Sequence, residues 1–204
     1  FGRRLNEAPT GQEQYVGSGQ NMVRFDTPAP EKMIVASDGT QTEHYKAEHL
    51  AEQWNYEVRQ TIADGIPQAH YYENFMFRDQ IESCMKILDV KVYGDGSDVS
   101  TEFDISTTGN QVKAILKNPA DSEFYKRGEY VLNIKVCMNI PENATKEQLD
   151  ELRKKWQEHG HYNESKTVIL EKNRAETIID GKNMPTNEAI CEIELPKQNE
   201  NDPG

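Results

Sequence analysis

Alternation of apolar and polar residues with a period of two runs through most of this chain and constrains its fold more than any other feature. Trp54, Tyr56, Val58 and Ile62 alternate with polar neighbours, as do Phe75, Phe77 and Ile81, Val90 and Val92, and Val112, Ala114 and Leu116. Tyr130, Leu132, Ile134 and Val136 repeat the pattern, and Ala189, Ile193 and Leu195 close it. Successive side chains of a strand point to opposite faces, so each run predicts a strand with one buried and one wet face. The runs are separated by Tyr93-Gly94-Asp95-Gly96-Ser97-Asp98, Thr108-Gly109-Asn110 and Asp180-Gly181-Lys182-Asn183. Gly, Asp and Asn tolerate the left-handed backbone of tight hairpins, so these clusters predict turns. The fold class expected is all-β, an antiparallel sandwich.

One segment breaks the period. Thr145-Lys146-Glu147-Gln148 is a capping box, in which Thr145 accepts from the amide of Gln148 and Gln148 reaches back. Leu149, Leu152 and Trp156 then share a helical face, and Gly160 follows as a stop. The spacing predicts one α-helix over about 145–159, inside an insertion spanning 141–167. Its expected place is over an open end of the sandwich, with Trp156 in the core.

At 204 residues the chain is long enough for one large domain with a substantial core. Its 23 basic and 35 acidic residues leave a formal net charge of −12, which argues against a nucleic-acid partner and against docking on an anionic membrane. No apolar run is long enough to span a bilayer, and the first residues lack the layout of a signal peptide. Residues 1–28 are rich in Gly and Pro and read as a linker or the tail of a preceding domain. Residues 29–197 then form the domain and 198–204 a second linker, so the expectation is a module of a longer chain that begins at Phe1 by processing or excision. Thr10-Gly11-Gln12-Glu13-Gln14 has the flavour of a thioester motif but lacks its Cys. Cys84, Cys137 and Cys191 cannot form a disulfide framework, and their spacing contains no zinc-binding CxxC.

Three polar side chains share a phase with apolar ones. Lys32 runs with Ile34 and Ala36, Asp79 with Phe75, Phe77 and Ile81, and Asn187 with Ala189, Cys191, Ile193 and Leu195. A buried charge is costly unless paired or neutralised. An amine, a carboxyl and a carboxamide are also the reactants and catalyst of an intramolecular Lys–Asn amide bond. Burial favours a neutral Lys amine with a free lone pair and a protonated Asp able to polarise the Asn carbonyl. The fold supplies proximity, and no cofactor or metal is required. Two readings stay open on these residues: a buried Lys32–Asp79 ion pair with Asn187 as a hydrogen-bond partner, or a Lys32–Asn187 crosslink catalysed by Asp79.

Four stretches resemble one known family. They are Thr27-Pro28-Ala29-Pro30-Glu31-Lys32-Met33-Ile34-Val35, Trp54-Asn55-Tyr56-Glu57-Val58-Arg59-Gln60-Thr61-Ile62, Phe75-Met76-Phe77-Arg78-Asp79-Gln80-Ile81-Glu82-Ser83 and Met184-Pro185-Thr186-Asn187-Glu188-Ala189. In order and phase they are similar to the isopeptide-forming Ig-like modules of Gram-positive fimbrial subunits and surface adhesins, the collagen-adhesin-like class. The resemblance covers residues 28–196. It implies an Ig-like sandwich, a Lys–Asn crosslink with an Asp catalyst, and an extracellular, cell-wall-anchored parent protein. The helical insertion and the three Cys depart from the family pattern. Because the Lys strand runs into Ala36-Ser37-Asp38-Gly39, Lys46 is the fallback nucleophile.

Two functions follow as expectations. One is a structural stalk module whose partners are neighbouring domains of the same surface protein, with no enzymatic turnover beyond a single crosslink. The other is an adhesin domain recognising a host or partner-cell protein, which needs an exposed aromatic face; Tyr71, Tyr72 and Tyr162 are its candidates. A carbohydrate-active enzyme needs two carboxylates facing across a cleft, and no such pair stands out. Asp95, Ser97, Asp98, Glu102 and Asp104 are rich in calcium-type ligands but lack the spacing of a calcium loop, so a solvated hairpin is expected. His44, His49, His70, His159 and His161 are dispersed, and no metal site is expected. Asn143-Ala144-Thr145 and Asn163-Glu164-Ser165 match glycosylation sequons.

Overall fold

Three of the turn clusters fold into two-residue hairpins. Asp95-Gly96, Gly109-Asn110 and Asp180-Gly181 all carry positive φ at both positions, the backbone a type I′ turn demands. Each tip is also tied down. The Asp95 carboxylate accepts from the amides of Gly128 and Glu129, and Asp180 Oδ1 accepts from those of Glu73 and Asn74. Asn110 Nδ2 donates to the carbonyls of Glu82 and Met85, both at 2.9 Å. The computed structural model describes residues 27–141, 143–158 and 168–195. Of the expected linkers, residues 1–26 of the first and all of 198–204 lie outside the described residues, as do Tyr162, His159, His161, Gly160 and the Asn163 sequon.

Fourteen strands arrange in three sheets among the described residues. In the first sheet, β1 (Glu31–Val35) lies between β2 (Gln41–Thr42) and β4 (Trp54–Thr61), followed by β10 (Glu129–Met138), β6 (Met85–Gly94) and β7 (Ser97–Asp98). The second runs β13 (Lys182–Pro185), β12 (Ala175–Ile179), β5 (Phe75–Gln80), β9 (Gln111–Leu116) and β8 (Phe103–Thr108). The third is β11 (Val168–Asn173), β14 (Ala189–Glu194) and β3 (His44–Lys46), with β14 and β3 parallel.

One core joins them. Tyr56, Val58, Leu132 and Ile134 of the first sheet meet Phe75, Phe77, Val112 and Ala114 of the second and Ile169, Cys191 and Ile193 of the third. Tyr130 bridges the layers, stacked on Phe124 at 4.3 Å and edge-on to Phe103 at 6.0 Å. The alternation expected for β4, β5, β9 and β10 matches their buried faces. Val90 departs, being half-buried, because a bulge opposite Lys135 and Val136 puts an extra residue into β6.

Helix α1 (Lys146–Glu158) joins β10 to β11. Its capping box is made: Gln148 N–H donates to Thr145 Oγ1 at 3.2 Å, and Thr145 N–H to Gln148 Oε1 at 2.9 Å. Leu152 and Trp156 are buried and Leu149 half-buried, the face the sequence predicts.

Candidate functional site

Lys32 alternates inward with Ile34 on β1, and there it is fully buried. Its backbone pairs with Val58, and its ammonium nitrogen stands 4.2 Å from the centre of the Tyr56 ring. From the facing sheet Asp79, at 1% exposure, brings Oδ2 to 2.5 Å from Lys32 Nζ. The first two expected residues therefore meet across the sandwich interior.

The third does not. Asn187 lies ahead of β14, where Thr186 turns the chain by bonding Ala175. Its half-buried carboxamide accepts from Lys32 N–H at 2.8 Å and donates to Lys32 C=O at 2.9 Å. Asn187 thus binds the β1 backbone in place of a ladder neighbour and turns away from the amine. The carboxamide at the amine belongs to Asn173, whose Oδ1 contacts Lys32 Nζ while its Nδ2 donates to the Gln80 carbonyl at 3.0 Å. Asn173 ends β11, and Arg174 alone separates it from Ala175, the β12 residue paired with Asp79. Asn173 and Ala175 share one face across that junction, so the carboxamide reaches Asp79 and Lys32 where the second and third sheets meet. Lys46, the fallback nucleophile, is exposed on β3 and has no access to this interior.

More polar groups face the core than the three expected. Glu171, two residues before Asn173 on the same face, is fully buried, and neither carboxylate oxygen has a partner among the described residues. Gln60 is also buried; its Nε2 donates to Pro28 C=O at 2.9 Å. The signal for Asn173 and Glu171 was present: Ile169, Glu171, Asn173 and Ala175 alternate in one phase.

Burial dominates the electrostatics. Desolvation pushes the Lys32 amine below its usual range, with the Asp79 charge opposing. The same loss of water raises Asp79, with Lys32 opposing. It raises Glu171 well above the carboxylate range, reinforced by the charge of Glu82. A neutral amine, a protonated Asp and a carboxamide in mutual contact can perform amide exchange. An ion pair at the same geometry is the unreacted counterpart.

Several of the other candidates are held by protein partners. Asp95 caps β10, Asp98 Oδ1 accepts from Ser100 N–H at 2.9 Å, and Glu102 is paired with Arg127 at 2.8 Å. Tyr71 stacks on Tyr125 at 3.8 Å, and Tyr72 N–H donates to Tyr125 Oη at 2.9 Å. Cys84 and Cys191 are buried, Cys137 is half-buried, and all three are free thiols.

No family model and no curated protein matches this sequence. Solved structures do match. BcpA, the major pilin subunit of Bacillus cereus, superposes with a TM-score of 0.54 at 14% identity, over 80% of this chain and 39% of its own. The fold is that of Gram-positive pilin and adhesin domains. The full-length major pilin SpaD of Corynebacterium diphtheriae matches at TM-score 0.53 and 14% identity, covering 79% of this chain and 34% of SpaD. The C-terminal domain of the Streptococcus pyogenes antigen I/II-family protein AspA gives 0.59 at 9% identity, covering 84% and 48%. This chain spans under half the length of each of these structures. The immunoglobulin-like sandwich expected from the sequence is therefore shown at the level of fold. Among the described residues no helix is long and apolar enough to cross a membrane.

Proposed function

We propose that this domain is a structural module of a Gram-positive cell-surface or fimbrial protein, closed by one autocatalytic amide bond between Lys32 and Asn173. The observation that carries the reading is the enclosure of Lys32 Nζ between the Asp79 carboxyl and the Asn173 carboxamide, away from water. Proton transfer from the ammonium to Asp79 leaves a neutral amine beside a protonated acid. The amine adds to Asn173 Cγ while Asp79 donates to Oδ1, and Asp79 then helps carry the proton of the attacking nitrogen to the departing amide nitrogen. One N–C bond forms, one breaks, and one ammonia leaves.

The reaction is single-turnover and needs no cofactor or metal. The reading places the domain outside the cell, joined through its parent protein to the wall, with neighbouring domains as partners. The competing adhesin reading needs an exposed aromatic face, and Tyr71 and Tyr72 are instead spent on the Tyr125 cluster.

Intact mass tests the reading. The folded protein is expected one ammonia lighter than its sequence, with the linked peptides mapping to Lys32 and Asn173. Asn187→Ala should keep the loss and Asn173→Ala should abolish it. Folded protein at full sequence mass would leave the ion pair as the correct account.

A further inference from the structure

Glu171 is the buried ionisable group that the crosslinking chemistry does not use. It is flanked by Lys32 from β1, Tyr56 from β4, Asp79 from β5, Glu82 and Cys84 between β5 and β6, and Cys191, its partner across the β11–β14 ladder. Lys155 of α1 acts on Cys84 from the exposed side, and Lys32 is the one buried basic side chain at this seam. At this seam the interior holds one amine and two carboxyls, Asp79 and Glu171, each at 0–1% exposure; a third buried carboxyl, Glu52, acts on Cys191 but accepts from Tyr45 Oη and Glu48 N–H.

One amine can neutralise only one carboxylate, and a second bare carboxylate in this interior is prohibitively costly. One of the two acids must therefore keep its proton. Asp79 is in contact with Lys32, whereas neither oxygen of Glu171 receives a hydrogen bond among the described residues. The acid that keeps its proton is Glu171. Its charge nevertheless matters to the amine. If Glu171 ionises, its field favours the ammonium form of Lys32, and an ammonium has no lone pair with which to attack.

We propose that Glu171 is a proton-operated gate on the crosslink: protonated, it lets Lys32 become the neutral nucleophile, and ionised, it holds Lys32 as an unreactive ammonium. The proposal rests on the crosslink reading. Glu171 is on this account a positioning residue, acting on the reaction through the charge state of Lys32.

The test uses the 204-residue chain recovered unfolded from inclusion bodies and diluted into buffers from mildly acid to alkaline. Ammonia loss is followed by intact mass. The wild-type rate should rise with pH and then fall in alkali. Glu171→Gln, which mimics the protonated acid, should match wild type in mild acid. In alkali it should crosslink about tenfold faster, the equivalent of moving the falling limb by one pH unit. Coincident profiles overturn the gate, as does a folded Glu171→Gln protein that crosslinks at no pH. If Glu171→Gln fails to fold, Glu171→Met is read in the same way. A wild-type rate that climbs steadily into alkali overturns the gate without any variant. Failure of the underlying reading looks different, because wild type and variant would then both keep their full mass at every pH.

Discussion

In the proposed crosslinking reaction Asp79 serves the folded chain in two states. As a carboxylate it compensates the buried ammonium of Lys32; as an acid it activates Asn173. A proton crossing the 2.5 Å between Nζ and Oδ2 interconverts the two states, and desolvation favours the uncharged one. Asp79→Ala removes both roles. The expected product is a folded sandwich at full sequence mass, with Lys32 and Asn173 unlinked. Leaving Lys32 without its contact partner should cost about 3 kcal/mol of stability beyond the loss of the crosslink itself, and Glu171 offsets part of that. Mass spectrometry and a denaturant midpoint check both halves. Ammonia loss in the folded variant would remove Asp79 from the mechanism.

At the scale of elements, the hairpin tips are anchors as well as turns. Asn110 has a φ of 61° and its side chain satisfies two carbonyls at the β5–β6 connection. Asn110→Ala should lower stability by about 2 kcal/mol through the two lost hydrogen bonds and the strained backbone. A denaturant midpoint equal to wild type would show that the tip contributes nothing. These tips were legible because turn chemistry is local: Asp-Gly and Gly-Asn announce a left-handed pair whatever the rest of the chain does. The α1 cap was legible for the same reason. Strand pairing was not. Asn187 has the right phase, but phase along one strand does not say what lies opposite it, and its position ahead of β14 turns its side chain onto the β1 backbone. Asn173 was hidden by its neighbours. With Glu171 before it and Arg174 after it, β11 reads as polar, and its placement depends on a seam between two sheets that no local signal encodes.

For the whole molecule, the free thiols leave stability to packing and, on the proposed reading, to the crosslink. Lys32 and Asn173 are 141 positions apart. By analogy with a disulfide closing so long a loop, the bond should add roughly 5 kcal/mol, by the chain-entropy model. Asn173→Ala, which keeps Lys32 and Asp79 paired, should therefore melt well below wild type in calorimetry. Equal melting would mean that the bond, if formed, strains the native state as much as it restricts the unfolded one.

The seat of Asn173 on β11, three strands before the last described strand ends, also decides how load would travel through the domain. A pull applied at the two termini enters at Lys32, crosses to Asn173, and leaves along β12, β13 and β14. Everything from Met33 to Lys172 is thereby bypassed. The stretch from Arg174 to Leu195 is not, and only non-covalent contacts hold it. Since β14 starts beside Lys32 and runs away from it, its ladder with β11 is loaded lengthwise, so its hydrogen bonds must fail together and not one by one. The crosslinked domain is then a short tether with a fixed stop: fully stretched, that segment spans about 75 Å, and the length gained is that less the distance it already covers in the fold. Single-molecule extension far beyond that length would place the covalent stop elsewhere.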